Sequence, residues 1–221
     1  GLHHALSALA ATAAQGSRMA GTLLAGLPTA LQPGPPAIPQ RWRADARGAL
    51  CDAVVAIITC EPNLATRVAA IRQSWVPMLA PLGVRHVFVT GNGDGSRDGD
   101  LLRLDAPDDY AGLPLKTLAL LRWFRDQTRF GYLIKVDDDC FLNAPAFFAD
   151  LNYRKFDFHG RRLLRIPGQL DRAWHRDKAS AGGASRVFDR SPEPSVYADG
   201  GTGYTLSRRA VSAALDAAAS P

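Results

Sequence analysis

Tyr132-Leu-Ile-Lys-Val-Asp-Asp-Asp-Cys-Phe-Leu-Asn143 is the stretch on which the reading of this chain turns. Tyr132, Leu133, Ile134 and Val136 are β-prone and, interrupted only by Lys135, make the kind of run that fits a buried strand. Asp137, Asp138 and Asp139 follow without a spacer. Three adjacent carboxylates repel one another. A strand that ends in them delivers them to the carboxyl edge of its sheet, where open α/β sheets bind ligands. A hard divalent cation such as Mg²⁺ or Mn²⁺ would cancel the repulsion and bridge the carboxylates to phosphates. The plainer alternative is a solvated turn in which one Asp caps a helix that starts near Asn143. The apolar run ahead of the triplet favours the ligand-facing reading.

Outward from this stretch the pattern alternates. Ala53–Thr59 is a continuous apolar run and predicts a strand. Leu64, Val68, Ile71 and Trp75 then step by four, three and four, which predicts a helix that Pro77 ends. A second strand is expected at Arg85–Thr90, followed by the loop Gly91-Asn-Gly-Asp-Gly95, and a short third at Leu101–Leu104. Leu113–Thr128 reads as a helix with Pro114 in its first turn, where Pro is tolerated. After the aspartates the expectations are a short helix at 146–151, a strand at 162–166 within a Gly/Arg/Pro-rich stretch, and an Ala-rich helix capped by Ser207. Strand, helix, strand, strand, helix, strand predicts an α/β domain with a mostly parallel sheet.

Composition bounds the function. The 221 residues suffice for one α/β domain with an appendage, and 47% hydrophobic with 21% charged residues is ordinary for a globular chain. A net charge of +5 suits an anionic partner. The basic residues are scattered and carry no nucleic-acid-binding signature, so a phosphorylated small molecule is favoured over nucleic acid. Cys51, Cys60 and Cys140 are odd in number and lack metal-ligand spacing, so they read as small buried apolar residues. A disulfide framework is not expected, and no Asn-x-Ser/Thr sequon occurs. Residues 1–31 are Ala/Leu-rich, with Leu6, Leu9, Met19, Leu23 and Leu24 along one side of a helical segment, but too interrupted for a transmembrane helix. Four prolines within residues 32–40 form a linker. The division is therefore 1–48, a helical segment and linker, and 49–221, the folded domain.

Four motifs carry a resemblance. Arg67-x-x-x-Ile71-Arg72-x-Ser74-Trp75 after the first strand, Asp108-Asp109-Tyr110 with Leu113, Lys116-Thr117 and Trp123, the Asp137–Asp139 segment, and Gly200-Gly-Thr-Gly-Tyr-Thr-Leu-Ser207 resemble, in order, motifs of the β1,3-glycosyltransferases. The Tyr-Ala-Asp lead into the glycines is similar to the Fringe form. The resemblance spans about residues 53–215. It implies a Rossmann-like, mostly parallel sheet of the GT-A glycosyltransferase type. It further implies inverting transfer of a hexose, galactose or N-acetylglucosamine, from a UDP-sugar donor to a hydroxyl of a glycan acceptor, with Mn²⁺ or Mg²⁺.

On that resemblance Asp137 and Asp139 are candidate metal ligands. Thr59, Arg67, Arg72, Lys116, Asp137, Asp138, Gly200 and Gly201 are candidate donor-binding residues. Backbone groups around Thr59-Cys60-Glu61 are placed to read a uracil or ribose. Arg67 and Arg72, about 140° apart on a helix, cannot both face the donor, so one is expected to lock the domain through an ion pair. Lys116 lies in the first turn of its helix, where the dipole disfavours a cation. Its compensating anion is Asp108, Asp109 or a donor phosphate. The resemblance puts the general base in an acidic motif after the glycines, together with a metal-binding His in Fringe-like members. Residues 208–221 contain only Asp216, which leaves Asp199 as the local candidate base. The expectation is an excerpt or a short variant that binds donor and transfers sugar poorly. The competing function is a non-catalytic nucleotide-sugar-binding module acting as a partner subunit recruited through residues 1–48. A nucleotidyltransferase is disfavoured, because Glu61-Pro-Asn-Leu64 is no Gly-rich basic loop. The absence of disulfides and of a membrane span points to a bacterial cytoplasmic setting, with the Golgi lumen as the alternative for an excerpt of an anchored protein. Oligomeric state is left open.

Overall fold

The computed structural model describes residues 52–149, 151–165 and 195–219. The expectations for residues 1–48, and for most of the Gly/Arg/Pro-rich stretch, lie outside the described residues. The central sheet has seven strands: β1 (Ala53–Ile58), β2 (Arg85–Thr90), β3 (Arg97–Asp98), β4 (Leu101–Arg103), β5 (Tyr132–Asp137), β6 (Phe158–Gly160) and β9 (Tyr204–Ser207). Their order is β3-β4-β2-β1-β5-β9-β6. β4, β2, β1 and β5 run parallel, while β3, β9 and β6 pair antiparallel at the flanks. A separate antiparallel pair joins β7 (Arg162–Arg165) and β8 (Ser195–Ala198). This is the expected α/β architecture, with its parallel strands in the middle, consistent with a GT-A-like glycosyltransferase fold.

β1 is buried along its whole length, which is why Ala-Val-Val-Ala-Ile-Ile carries no alternation: both faces of a central parallel strand are covered. One face packs Val54, Ala56, Val87, Val89 and Leu133 with Leu120, Leu121 and Phe124 of α2 (Leu113–Gln127) and Val211 and Leu215 of α4 (Arg208–Ala219). Arg208, first residue of α4, closes the C-terminus of α2. Its guanidinium donates to the carbonyls of Phe124, Arg125, Thr128 and Phe130 and to Thr128 Oγ1. Phe124 and Arg125 carry last-turn carbonyls of the kind a helix leaves without an intrahelical partner, and Thr128 and Phe130 follow its end. Ser207 Oγ accepts the Ala210 N–H, the expected cap.

The segment after β1 differs from the single helix that its periodicity predicts. It opens as a 3₁₀ turn (Glu61–Asn63), widens into a π-turn (Leu64–Val68) and ends as α1 (Ala69–Gln73). Pro77 does not end it; Pro77 lies inside the next 3₁₀ turn, Val76–Met78. Spacing of three and four is shared by all these helical forms, so apolar steps do not distinguish them. The short helix after the aspartates, α3, is Ala144–Phe147 rather than 146–151, and Asn143 caps it through the Ala146 N–H. The expected third strand at 101–104 is β4, and the expected strand at 162–166 is β7.

Candidate active site

β1 and β5 pair in register, Ile58 opposite Asp137, so Thr59 and Asp138 leave the sheet side by side. Asp138 turns inward and is saturated. Its Oδ2 accepts from Thr59 Oγ1 at 2.7 Å and from Asn63 Nδ2 at 2.8 Å, and its Oδ1 accepts from Arg67 Nη1 at 2.7 Å. That bond to Asp138 raises the Arg67 pKa further. Asp138 thus ties the end of β5 to the 3₁₀ and π turns after β1.

Its neighbours point elsewhere. Asp137 is half-buried, and burial pushes its carboxyl above the usual range against the pull of the Lys135 ammonium, which donates to its Oδ1. Lys135 also donates to the Gly200 carbonyl at 3.0 Å and lies over the Tyr204 ring. Asp139 is exposed, with one weak contact, from Cys140 Sγ at 4.0 Å, among the described residues. Cys140 Sγ donates to the Gly201 carbonyl at 2.8 Å, and Trp75 Nε1 donates to the Cys140 carbonyl at 3.1 Å. The aspartate turn and the glycine turn are therefore stitched together on both sides of Asp137–Asp139.

In the glycine turn, Gly203 is the residue that sterics demand. Its φ is +86°, and a Cβ there would come within 2.8 Å of the Lys135 carbonyl. Gly200 and Gly201 have room for a side chain, and their carbonyls are held by Lys135 and Cys140. Asp199 opens the turn: its Oδ1 accepts the Gly201 N–H at 3.0 Å, and Arg161 Nη1 stands 3.7 Å from Oδ2. Beside the turn, a cavity of about 230 Å³ is lined by Val136, Leu142, Phe147, His159, Arg161 and Thr202.

Other sequence-predicted residues serve the fold. Lys116 is buried and donates to Asp108 Oδ1 at 2.5 Å and to the Thr59 carbonyl at 2.9 Å. Of the three anions open to it, Asp108 is the partner the structure gives. Thr59 has all its polar groups engaged: N–H to Val89, carbonyl to Lys116, hydroxyl to Asp138. The Glu61 N–H goes to Asp108 Oδ2, and the Cys60 carbonyl accepts the Asn63 N–H. Arg72 forms a two-pronged pair with Asp100, at 3.0 and 2.6 Å, and stacks over Phe88; it is the locking arginine of the two. Cys60 and Cys140 are half-buried free thiols rather than core residues, while Cys51 lies outside the described residues. Asn63, Lys135 and Cys140 were missed as site residues. Lys135 had a signal, as the one charge in an apolar strand.

Among the described residues no three His, Cys, Asp or Glu side chains form a metal cage. The exposed Asp139 and the half-buried Asp137, one of whose oxygens is taken by Lys135, are two carboxylates, and Mg²⁺ or Mn²⁺ takes one or two protein carboxylates and completes its shell with phosphate and water.

The galactosyltransferase family model matches residues 66–220, well over half the chain. The chain belongs to the β1,3-galactosyltransferase family. It is 28% identical to human beta-1,3-galactosyltransferase 4 over 77% of this chain and 49% of that protein. It is 30% identical to mouse beta-1,3-galactosyltransferase 6 over 45% of this chain and 35% of that protein. It is 33% identical to mouse UDP-GalNAc:beta-1,3-N-acetylgalactosaminyltransferase 2 over 29% of this chain and 13% of that protein. The chain thus spans about half or less of the length of these relatives. They are animal proteins and give no support to a bacterial cytoplasmic setting. Among the described residues no helix is long and apolar enough to cross a membrane.

Proposed function

We propose that this chain is the donor-binding part of a β1,3-glycosyltransferase that moves a hexose from a UDP-sugar to a hydroxyl of a glycan acceptor. Galactose is the favoured sugar, because the names of its relatives carry galactose or N-acetylgalactosamine. The observation that carries the reading is the divergence within the aspartate triplet: Asp138 is consumed by the fold, while Asp137 and Asp139 remain at the carboxyl end of β5. Asp137 and Asp139 would hold Mn²⁺ or Mg²⁺, which when bound offsets the negative charge that develops on the departing diphosphate. Arg67, half-exposed beside Asp138, adds positive charge on the β1 side.

In the reaction the acceptor hydroxyl oxygen bonds to the anomeric carbon from the face opposite the diphosphate. The anomeric carbon–oxygen bond breaks, UDP leaves with the electron pair, and the hydroxyl proton passes to a carboxylate. The cavity beside the glycine turn, with Phe147, His159 and Thr202 in its walls, has the mixed apolar and polar character that suits a sugar ring. Asp199, at the head of that turn, is the candidate acceptor of the proton.

Calorimetry of UDP binding with Mn²⁺ and with EDTA tests the donor site. The expected result is binding that depends on the ion and loses that dependence in Asp139→Ala; equal affinity with Mn²⁺ and with EDTA ends the metal role. Transfer to a glycan acceptor, measured as product, tests Asp199: turnover unchanged in Asp199→Asn assigns the base elsewhere.

A further inference from the structure

The aspartate triplet carries its own counter-charges. Arg67 pairs with Asp138, and the Lys135 ammonium pairs with Asp137. Three carboxylates against two cations leave one uncompensated negative charge, on the exposed Asp139. Lys135 is held where it is. Its side chain is 5% exposed, it projects from β5 on the same side as Asp137, and it also donates to the Gly200 carbonyl at 3.0 Å beneath the Tyr204 ring. It cannot swing into solvent without breaking one of the two ties between the aspartate turn and the glycine turn.

A fixed cation in van der Waals reach of a metal-ligand carboxylate acts against a divalent ion arriving alone, because both are positive and the intervening medium is only partly water. It acts in favour of a diphosphate, which brings several negative charges. We infer that Lys135 is a resident cation of the donor site that makes the triplet a poor trap for free Mn²⁺ or Mg²⁺ and couples uptake of the ion to the nucleotide diphosphate. Lys135 is then a positioning residue, acting through Asp137 and Gly200. The inference rests on the proposed donor and metal reading, and adds to it the order in which charge enters the site. Coupling of this kind is reciprocal, so the ion tightens the diphosphate by the factor with which the diphosphate tightens the ion.

The test is a Mn²⁺ titration of the 221-residue chain, followed by the electron paramagnetic resonance of the free ion, without and with UDP. Wild type is expected to bind Mn²⁺ weakly alone and about tenfold or more tightly with UDP present. Lys135→Met is expected to bind Mn²⁺ alone about tenfold more tightly and to show a reduced UDP effect, whereas Lys135→Arg restores the wild-type pattern. Wild type that binds Mn²⁺ equally well with and without UDP overturns the inference, whatever becomes of the variants. Lys135→Met that stays folded by circular dichroism and gains no affinity for the free ion overturns it as well. Those failures leave Mn²⁺ and UDP binding in place. Absence of Mn²⁺ binding under both conditions instead removes the metal reading and this inference together.

Discussion

Two turns at the carboxyl side of the parallel sheet carry consecutive aspartates, and they have opposite fates. In the turn after β4, Asp108 Oδ1 accepts from the Gly91 N–H and Lys116, and its Oδ2 accepts the Glu61 N–H. Asp109 accepts the Gly112 N–H ahead of α2. In the turn after β5, Asp138 is satisfied in the same way, yet Asp137 meets Lys135 on one oxygen and Asp139 is left to solvent. What separates Asp108 and Asp138 from Asp139 is the supply of nearby donors, not the number of carboxylates; Asp109, exposed and bonded through Oδ1, caps the turn ahead of α2. A carboxylate whose oxygens are all engaged stabilises the fold. One with an oxygen unengaged can take a ligand.

The largest expected effect tests the first turn. Lys116→Met removes a buried cation and leaves Asp108 buried, so it should cost about 3 kcal/mol or more of stability, measured by urea unfolding. UDP affinity should change far less. A variant that keeps its stability and loses UDP binding would transfer Lys116 to the donor site and dissolve the contrast between the turns. Next in size is Asp138→Asn, which keeps the shape and loses the charge-assisted bond to Arg67. About 1.5–3 kcal/mol is expected, with some loss because Arg67 is half-exposed. A stability change near zero would place Asp138 with its ligand-facing neighbours instead.

The contrast was only partly readable from the chain. The buried strands were readable, because continuous apolar runs such as Ala53–Ile58 have few other uses. β3 and β6, of two and three residues, were not, since they exist only through partners on β4 and β9. The three neighbouring carboxylates of Asp137–Asp139 look equivalent in sequence. Their inequality comes from Thr59, Asn63 and Arg67, more than seventy residues away, and from Lys135 two residues back. For Lys116, periodicity placed the helix and the dipole required an anion; only the fold chose Asp108. Arg67 and Arg72 diverge, Arg67 to Asp138 from the π-turn and Arg72 to Asp100 from α1, and the sequence did not say which one would face Asp100.

Acid separates the turns by sign. Burial pushes Asp108 up, but Lys116 and the Glu61 and Gly91 N–H groups outweigh it and hold its pKa below the ordinary value. Its stabilisation is therefore complete above the unfolded carboxylate pKa of about 3.9 and is lost as pH falls through the lower folded value. Asp137 is raised, chiefly by burial, so its ionised form weakens the fold above its folded pKa, and that penalty disappears below the unfolded one. Asp108→Asn should be less stable than wild type at pH 7, and the gap should narrow as pH falls below about 3.9 and close only below the lower folded value. A gap that is constant with pH would mean that the Asp108 charge contributes nothing and that the turn is held by its neutral hydrogen bonds.

The smallest expected effect on stability belongs to Asp139→Ala, and it is the sharpest test of the comparison. Asp139 is exposed, and its weak Cys140 contact lies outside ordinary N–H or O–H hydrogen-bond range. Its removal should change stability by no more than about 0.5 kcal/mol, the usual range for surface positions. It relieves repulsion with Asp137 and gives up attraction to Arg67, two effects of opposite sign. The same variant should lose the Mn²⁺ dependence of UDP binding, because Asp137 would be left with one oxygen already given to Lys135. Urea unfolding and calorimetry on one preparation report both quantities. Unchanged stability with lost ion dependence is the signature of a carboxylate kept free for a ligand. A marked fall in stability would instead put Asp139 in the same class as Asp108, and the second turn would then be another structural one.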